Sequence, residues 1–408
     1  MTYTEASAKL SAEGQEHLLK YYEELSEEQR ESLLNQINDL DLSLLGLIKE
    51  GAKEVPKGKL EPLGAVTLDE IAANKNEYEK IGLEAVKAGK VGAVLLAGGQ
   101  GTRLGLDKPK GMLNVGVNKD LYLFEQLIHN LMEVVHKADA WVPLLIMTSE
   151  KNNADTTAFF EEHEFFGYNK DFVFFFVQEM APSVGYDGKI YMEEKYKLST
   201  SPNGNGGWFS SLVKAGLLDK LNELGVEWLN VFSVDNVLQK MADPVFVGAT
   251  IKANCVCGSK VVAKADPNEK VGVLCLEDGK PSIVEYYEMT DEMIESRDEN
   301  GVLLYNYGVI LNYLFEIKTL TKIMNEYMPT HVVEKKIPYI DDQAQLVKPV
   351  EPNGYKFETL VLDMIHMMDN CLSFEVERSK EFAPIKNRTG VDSLESAREL
   401  MKQNHIEF

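Results

Sequence analysis

The sequence predicts an α/β protein built around one large central sheet, and three observations support this prediction. Short, continuous apolar segments recur along the chain, beginning with VGAVLLA at 91–97. Helical patterns such as Leu123–His136 separate these segments, and a glycine-rich loop directly follows the first of them. This alternation of strand and helix predicts an open, mixed but mostly parallel sheet, with ligands bound outside the carboxyl ends of its strands.

Composition and charge narrow the classes of function. A chain of 408 residues is long enough for one large domain with smaller appended pieces. Its formal net charge of −23 disfavours nucleic acid and anionic membrane surfaces, which attract proteins through clustered Lys and Arg. We find neither a leader pattern nor an apolar run of roughly 20 residues, and the four cysteines are too few for a disulfide scaffold. A cytoplasmic protein with reduced cysteines is therefore expected.

Residues 1–88 are predicted to form an N-terminal helical region. Ser26 with Gln29, and Thr67 with Glu70, have the spacing of capping boxes, in which the first side chain caps a helix and the second bonds back to it. The charged faces of these helices are most simply explained as solvated surface.

Residues 89–324 are predicted to form the central domain. Its fully apolar segments have the pattern of buried parallel strands, and they span 91–97, 142–147, 172–177 and 228–234. Helices are predicted at 123–136 and 212–224. Further strands are predicted at 261–263, 271–276, 282–287 and 305–311, where they would extend or cover the main sheet. Frequent prolines after Pro329 predict a small C-terminal α+β domain at 325–408.

The segment LAGGQGTRLGLDKPKG at 96–111 is the strongest candidate for a functional site. Its glycines at 98, 99, 101 and 105 allow the backbone to approach a ligand and direct N–H groups at an anion. Arg103, Lys108 and Lys110 add three cations, opposed only by Asp107. The loop does not fit the Walker motif, because no lysine directly follows a loop glycine. It does not fit the dinucleotide fingerprint either, since Leu104 occupies the place of the third glycine.

This loop, followed by PKG, resembles the signature of the eukaryotic-type UDP-sugar pyrophosphorylases, which are nucleotide-diphospho-sugar transferases. The resemblance extends from about residue 90 to 390 through motifs at 185–190, 201–207, 232–236, 260–273, 284–288, 335–341, 352–358 and 382–387. It implies a Rossmann-like central sheet of that family's type. SPNGNGG at 201–207 resembles the UDP-N-acetylhexosamine pyrophosphorylase branch, whereas the UDP-glucose branches usually carry GHGD there. Val309 is a departure, because some members have at this position an asparagine that touches the sugar.

The resemblance implies that the chain transfers a uridylyl group from UTP to N-acetylglucosamine 1-phosphate, giving UDP-GlcNAc and pyrophosphate. The implied mechanism is a direct in-line attack on the α-phosphate with Mg²⁺, or Mn²⁺ as the alternative ion, so the protein must position two anions and neutralise charge. A monomer or weak homo-oligomer is expected. The alternatives are a UDP-glucose or broad-specificity pyrophosphorylase and a non-catalytic nucleotide-sugar-binding regulator, although the latter would be expected to have lost Arg103, Lys110 or Asp235.

Asp235 is the candidate metal ligand, because it follows the apolar strand predicted at 228–234 and so falls at the carboxyl edge of the sheet. A helix N-cap is the structural alternative for this aspartate. The other roles are implied by the resemblance. The catalytic candidates are Arg103, Lys110, Lys356 and Lys386. The nucleotide-binding candidates are Leu96, Gly98, Gly99, Gly101, Thr102, Gln178 and Gly204, of which Gln178 would contact uracil through its amide. The sugar-binding candidates are Asn205, Gly272, Glu285 and Asn306.

Overall fold

The structure, a computed structural model, describes residues 1–49, 57–324 and 328–408. These residues form two compact units. The first, called the small unit, comprises 1–49, 179–207 and 328–360, and the second, called the sheet unit, comprises 57–178, 208–324 and 361–408. Both units join distant parts of the chain, whereas the three regions predicted above are consecutive. The boundaries predicted after residues 88 and 324 stay a prediction.

The helices are α1 Tyr3–Ala12, α2 Glu27–Asp39, α3 Leu45–Lys49, α4 Leu68–Lys87, α5 Leu123–Ala138, α6 Asn153–Glu162, α7 Trp208–Lys214, α8 Leu217–Leu224, α9 Pro244–Lys252, α10 Asp291–Glu295, α11 Ile317–Ile323, α12 Val361–His366, α13 Arg378–Glu381 and α14 Leu394–Gln403. The strands are β1 Leu60–Pro62, β2 Val91–Leu96, β3 Leu144–Thr148, β4 Val173–Val177, β5 Met180–Pro182, β6 Val184–Gly185, β7 Met192–Glu194, β8 Lys197–Leu198, β9 Thr200–Pro202, β10 Trp228–Ser233, β11 Cys257–Ala263, β12 Val273–Glu277, β13 Lys280–Val284, β14 Tyr307–Glu316, β15 His331–Lys335, β16 Tyr339–Ile340, β17 Leu346–Val347, β18 Gly354–Glu358 and β19 Leu372–Glu375.

A ten-stranded sheet forms the centre of the sheet unit. Its main path runs β1-β12-β14-β10-β2-β3-β4, with β13 beside β12, β11 beside β14 and β19 beside β11. Strands β10, β2, β3 and β4 are parallel neighbours, and β14 is antiparallel to β10. Most strands point the same way; the exceptions are β1, β13 and β14. The predicted mixed, mostly parallel α/β sheet is therefore confirmed.

The four central strands lie where the apolar segments predicted them. Every residue of β2 and β3 is buried, as a strand covered on both faces requires. Strands β11 to β14 join the same sheet, so the predicted strand-rich segment extends it. The predicted strand at 282–287 ends earlier, at Val284, because the following Tyr286 and Tyr287 turn outward and are 41% and 72% exposed.

Helix boundaries follow local signals in the sequence. Both capping boxes are present: Ser26 caps α2 and Thr67 caps α4, and the side chains of Gln29 and Glu70 bond back to them. The single helix predicted at 212–224 is wrong, since α7 ends at Lys214 and α8 begins at Leu217. Gly216 between them has a φ of +74°, which ends a right-handed helix.

The small unit has its own hydrophobic core. Helices α1 and α2 contribute Leu10 and Leu33, which belong to the same buried cluster as Val184 of β6 and Phe357 of β18. These four residues come from all three sections of chain in the small unit, so its core requires segments that are far apart in the sequence. Across the described ranges, none of the helices is both long enough and apolar enough to span a bilayer.

Candidate functional site

The glycine-rich loop leaves the carboxyl end of β2 and is held by its own main chain. The Gly101 N–H donates to the Lys108 carbonyl at 3.0 Å, and the Lys110 N–H donates to the Gly99 carbonyl at 3.3 Å. Thr102–Leu104 forms one tight 3₁₀ turn, which Gly105 ends with a φ of +71°, a conformation that favours glycine. These hydrogen bonds and the turn therefore define the shape of the loop.

The outer side of this loop is open to solvent. Thr102 and Arg103 are exposed, and a Cβ atom added at Gly99 would meet nothing within 4 Å. Arg388 braces the loop from another segment, since its Nε donates to the Leu104 carbonyl at 2.7 Å. The main chain at Gly99 and the guanidinium of Arg103 are thus accessible to an anionic ligand.

Gln178 lies directly against the glycine loop. It follows β4, is only 6% exposed, and is anchored by its N–H, which donates to the Thr148 carbonyl at 2.9 Å. A Cβ atom on Gly98 would stand 2.3 Å from Gln178 Nε2, so only glycine leaves room for the amide. The structure places these two predicted nucleotide-binding residues side by side, and their role stays a prediction.

Lys110 and Asp235 form an ion pair at the same edge of the sheet. Lys110 is 9% exposed, and its Nζ lies 2.5 Å from Asp235 Oδ1. Asp235 follows β10, the strand next to β2, and its N–H donates to Ser233 Oγ at 3.2 Å. The N-cap interpretation of Asp235 does not apply, because no helix begins there; α9 begins at Pro244 and is capped by Asp243.

Lys386 belongs to a segment that is tied to Asp235 by its main chain. The N–H of Ile385 donates to the Asp235 carbonyl at 2.9 Å. The side chain of Lys386 is 45% exposed, and its Nζ pairs with Asp392 Oδ2 at 3.0 Å. Lys386 is therefore the residue directly after Ile385, whose main chain is bonded to Asp235, the candidate metal ligand.

Three of the predicted sugar-binding residues lie around the start of β14. A Cβ atom on Gly272 would stand 3.1 Å from Glu285 Oε1, and the Val309 N–H donates to the Gly272 carbonyl at 2.9 Å. The carbonyl of Asn306 accepts from the Lys264 N–H at 2.9 Å. Because β14 is antiparallel to β10, its first residues extend past the carboxyl end of β10. Val309, which replaces the asparagine of some related proteins, is thus beside Gly272.

Glu285 is half-buried, and its pKa is raised. Burial is the main cause, and the neighbouring carboxylate of Glu288 adds to it, while Lys57 acts in the opposite direction. Lys57 instead pairs with Glu288, with its Nζ 2.7 Å from Oε2. Glu285 is a carboxylate kept in an environment that disfavours its charge, which is a common property of ligand-binding acids.

Gly204, Asn205 and Lys356 belong to the small unit. The Gly206 N–H donates to the Thr359 carbonyl at 2.9 Å, and the Thr359 N–H donates to the Asn203 carbonyl at 2.7 Å, which holds the SPNGNGG turn in place. Lys356 lies in β18, opposite Val333 of β15. The predicted C-terminal lysines therefore fall in different units, Lys356 in the small unit and Lys386 in the sheet unit. The roles of these three residues stay predictions.

A buried ionic cluster near Asp235 was not assigned any role from the sequence. Lys260 in β11 is fully buried, and its Nζ lies 2.6 Å from Glu381 Oε2 and 2.9 Å from Asp243 Oδ2. Burial alone lowers the pKa of Lys260, but the two carboxylates outweigh it and hold the pKa above its usual value. The signal in the sequence was a lysine at the start of the apolar run KVVA, in a strand that is otherwise buried.

The residues around Asp235 suit one mode of magnesium binding. Within the described part of the chain, no three or more His, Cys, Asp or Glu side chains are arranged to hold a metal ion by themselves. Mg²⁺ is usually held by one or two carboxylates together with substrate phosphates and water. The side chain of Asp235 is 33% exposed at a strand end and pairs with Lys110 of the glycine-rich loop, so it can supply one such carboxylate.

Comparisons with known proteins agree with this arrangement. The family model described as UTP–glucose-1-phosphate uridylyltransferase matches residues 48–407. The mouse UDP-N-acetylhexosamine pyrophosphorylase-like protein 1 is 38% identical over 94% of this chain and 80% of its own. The Saccharomyces cerevisiae UDP-N-acetylglucosamine pyrophosphorylase is 36% identical over 93% and 82%. The crystal structure of the Trypanosoma brucei uridine diphosphate N-acetylglucosamine pyrophosphorylase in complex with inhibitor has a TM-score of 0.85, with 29% identity over 98% of this chain and 84% of that one.

Proposed function

Because this chain belongs to the UTP–glucose-1-phosphate uridylyltransferase family, we propose that it transfers the uridylyl group of UTP to N-acetylglucosamine 1-phosphate, forming UDP-N-acetylglucosamine and pyrophosphate. The observation that carries the proposal is the Lys110–Asp235 pair beside the glycine loop, at the carboxyl ends of two neighbouring parallel strands. The sugar is inferred from the mouse and yeast relatives, whose names specify an N-acetylhexosamine and N-acetylglucosamine.

The reaction requires no covalent enzyme intermediate. An oxygen of the sugar phosphate is already an anion at neutral pH; it forms a new bond to the α-phosphorus of UTP as the bond to pyrophosphate breaks. The protein must bring two anions together and stabilise the charge that moves onto the leaving group. Arg103, which is exposed, and Lys110, which is buried in the same loop, are the cations we assign to the triphosphate and pyrophosphate.

The nucleotide is assigned to the glycine loop and its buried neighbour. The main chain at Leu96, Gly98, Gly99, Gly101 and Thr102 would line UTP, and the Gln178 amide would donate to and accept from the uracil edge. Gly204 is the nucleotide-side candidate of the small unit. A base that offers the wrong pattern of donors and acceptors would leave the buried amide of Gln178 unpaired, which is costly.

Asp235 and Lys386 are also assigned to the phosphates. Asp235 would hold Mg²⁺, or Mn²⁺ in its place, with phosphate oxygens as further ligands. When bound, the ion supplies a positive charge that neutralises the phosphate oxygens. Lys386 follows Ile385, whose N–H donates to the Asp235 carbonyl, and would contribute a further positive charge, as would Lys356 of the small unit.

The sugar is assigned to Gly272, Glu285 and Asn306, together with Asn205 of the small unit. The carboxylate of Glu285 can accept hydrogen bonds from sugar hydroxyls, while Asn205 offers an amide for the acetamido group. Val309, beside Gly272, is the observation that favours the second candidate function, a UDP-glucose or broad-specificity pyrophosphorylase. An apolar side chain there provides no partner for an acetamido group.

Steady-state assays with UTP and three sugar phosphates separate these functions. We expect kcat/KM for N-acetylglucosamine 1-phosphate to exceed that for glucose 1-phosphate by roughly 10²-fold or more, since a polar pocket rejects a ligand that leaves its groups unpaired. N-Acetylgalactosamine 1-phosphate completes the comparison. Asn205→Ala should narrow the gap mainly by harming the acetamido substrates. Equal rates with N-acetylglucosamine 1-phosphate and glucose 1-phosphate would favour the broad-specificity pyrophosphorylase. No turnover with any of the three sugar phosphates would favour a non-catalytic binding protein.

Location and assembly complete the proposal. The four cysteines, Cys255, Cys257, Cys275 and Cys371, all carry free thiols, which suits a reducing compartment, and we propose that the protein works in the cytoplasm. We propose a monomer or weak homo-oligomer whose partners are UTP, the sugar phosphate and their products.

A further inference from the structure

The buried lysine of β11 connects the two segments that carry the proposed phosphate-site residues Asp235 and Lys386. Lys260 Nζ bonds to Glu381 Oε2 and Asp243 Oδ2, and also to the Lys240 carbonyl at 3.2 Å. Glu381 is 7% exposed and lies at the end of α13, while Asp243 caps α9. A single ammonium group therefore fixes the end of the loop that follows β10 to the segment that follows α13.

One buried side chain connects Glu381 to the segment that contains Asp235. Asn236, which is 2% exposed, donates from Nδ2 to the Glu381 carbonyl at 2.6 Å. Its Oδ1 accepts from the Ala383 N–H at 2.8 Å. The preceding residue, Asp235, accepts the Ile385 N–H through its carbonyl at 2.9 Å. The segment 381–386 and the segment 235–236 are thus joined by three successive hydrogen bonds.

The bond to Asp243 fixes the far end of the same loop. Asp243 Oδ1 accepts from the Val245 N–H at 3.0 Å, while its other oxygen is held by Lys260. The Lys240 carbonyl accepts from Asn312 Nδ2 at 3.1 Å as well as from Lys260. The loop 235–243 is consequently held at both ends through Lys260, and β14 supports it through Asn312.

We propose that Lys260 is a positioning residue for uridylyl transfer, which holds Asp235 and Lys386 in register through Glu381 and Asp243; this inference rests on the proposed function. A buried ionic network is a poor means of gaining stability, because removing three charges from water costs much of what their attraction returns. It is an effective means of fixing geometry, since few arrangements satisfy all of its bonds. Displacing a metal ligand or a phosphate-binding cation by about 1 Å is enough to slow a reaction by roughly 10²-fold.

The test is the Lys260→Met variant, which keeps a long side chain but removes the ammonium group. Hydrogen exchange measured by mass spectrometry shows directly whether Lys260 holds the two segments in place. We expect amide exchange in peptides covering 235–243 and 381–386 to accelerate by roughly tenfold or more, with no change in peptides covering 144–148 of β3. We also expect kcat to fall by roughly tenfold or more and the Mg²⁺ concentration for half-maximal rate to rise, with the KM for the sugar phosphate within about twofold of the original value.

Lys90→Met is the matched control. Lys90 pairs with Glu227 at 2.9 Å just before β2 and β10 begin, at the opposite end of the same strands, and it is partly exposed. We expect this variant to match the unmodified protein in exchange and in kinetics. Should Lys260→Met fail to fold, Glu381→Ala is measured by the same criteria, because it removes the oxygen that accepts from Lys260 while keeping the main-chain carbonyl that accepts from Asn236.

Two results would overturn the proposal. Unchanged exchange in both segments would show that Lys260 does not hold them, and equal acceleration in β3 would reduce its role to general stability. An unmodified protein that forms no UDP-sugar would instead refute the proposed function, and in that case the exchange data alone would decide whether Lys260 ties the two segments.

Discussion

The Nζ of Lys110 lies 2.5 Å from Oδ1 of Asp235, although the two residues are 125 positions apart in the chain. They meet because β2 and β10 are parallel neighbours in register, with Leu96 opposite Ser233, so both loops leave the sheet at the same edge. The lysine is the more buried partner, with 11% of its side chain exposed against 33% for the aspartate. Removing either side chain leaves the other charge partly buried without its partner.

Replacing the cations of the glycine loop should impair the chemical step. We expect Arg103→Ala and Lys110→Ala each to lower kcat by about 10²-fold, because each removes charge stabilisation of the leaving pyrophosphate. Their stabilities should differ, since Arg103 is exposed and Lys110 is buried against Asp235: only Lys110→Ala should lower Tm. Steady-state kinetics and thermal unfolding provide the measurements. A loss of less than about threefold in kcat for both variants would refute the assigned roles.

Asp235→Asn should change the response to Mg²⁺. The substitution keeps the shape of the side chain and an oxygen for Lys110 but removes the charge that holds a divalent cation. We expect a lower kcat and a higher Mg²⁺ concentration for half-maximal rate, with an unaltered circular dichroism spectrum. Titration of Mg²⁺ at saturating UTP measures the effect. If the Mg²⁺ activation curve is identical in both proteins, the metal must bind elsewhere.

Gly98→Ala tests the contact between the glycine loop and Gln178. The new Cβ atom would lie 2.3 Å from the Gln178 amide, which has to move away. We expect the KM for UTP to rise by roughly tenfold or more and the preference for UTP over CTP to decrease, since one hydrogen bond in a buried site accounts for a change of that order. Gly64→Ala is the matched control, because a Cβ atom there would meet nothing within 4 Å. Unchanged base preference in Gly98→Ala would remove Gln178 from the uracil site.

Glu285→Gln should make the protein more stable and less active. Because burial and Glu288 raise the pKa of Glu285 in the folded state, its ionised form destabilises the fold at pH values above that pKa. Glutamine removes this cost, so Tm should rise at pH 7.5. The gain should shrink as the pH falls through the raised pKa, and should vanish below the ordinary glutamate value of about 4.3, where both states are protonated.

The same substitution weakens acceptance of hydrogen bonds from the sugar, and we expect kcat/KM for N-acetylglucosamine 1-phosphate to fall by roughly tenfold or more. Differential scanning fluorimetry across this pH range, together with kinetics at pH 7.5, measures both effects. A variant that is less stable at neutral pH and fully active would contradict the structural account of Glu285.

The sequence predicts the sheet well because its signals are local. A strand buried on both faces must be apolar throughout, and VGAVLL is apolar at every position, so β2 begins and ends close to the predicted residues. Glycines and cations confined to one loop likewise mark the anion site, since the residues that form it are contiguous. The capping boxes at Ser26 and Thr67 are readable for the same reason.

Features that depend on distant partners could not be predicted from the chain alone. Nothing near Lys260 in the sequence shows that Glu381, 121 positions away, neutralises it. The break at Gly216 was missed because the apolar period continues across it from α7 into α8. The grouping of α1 and α2 with β18 depends on packing between segments separated by most of the chain, and no local pattern records it.

The composition of the small unit determines when it can fold during synthesis. Its core combines Leu10 and Leu33 with Val184 and Phe357, so the first helices have no complete core until the last of these residues is made. At translation speeds of about 5–20 residues per second, the delay between Leu33 and Phe357 is on the order of tens of seconds. During that interval the ribosome makes β2, β3, β4 and β10, while the apolar faces of α1 and α2 still lack their partners from β18. Helices α1 and α2 are therefore made well before β18, and they complete their native packing only after it has emerged.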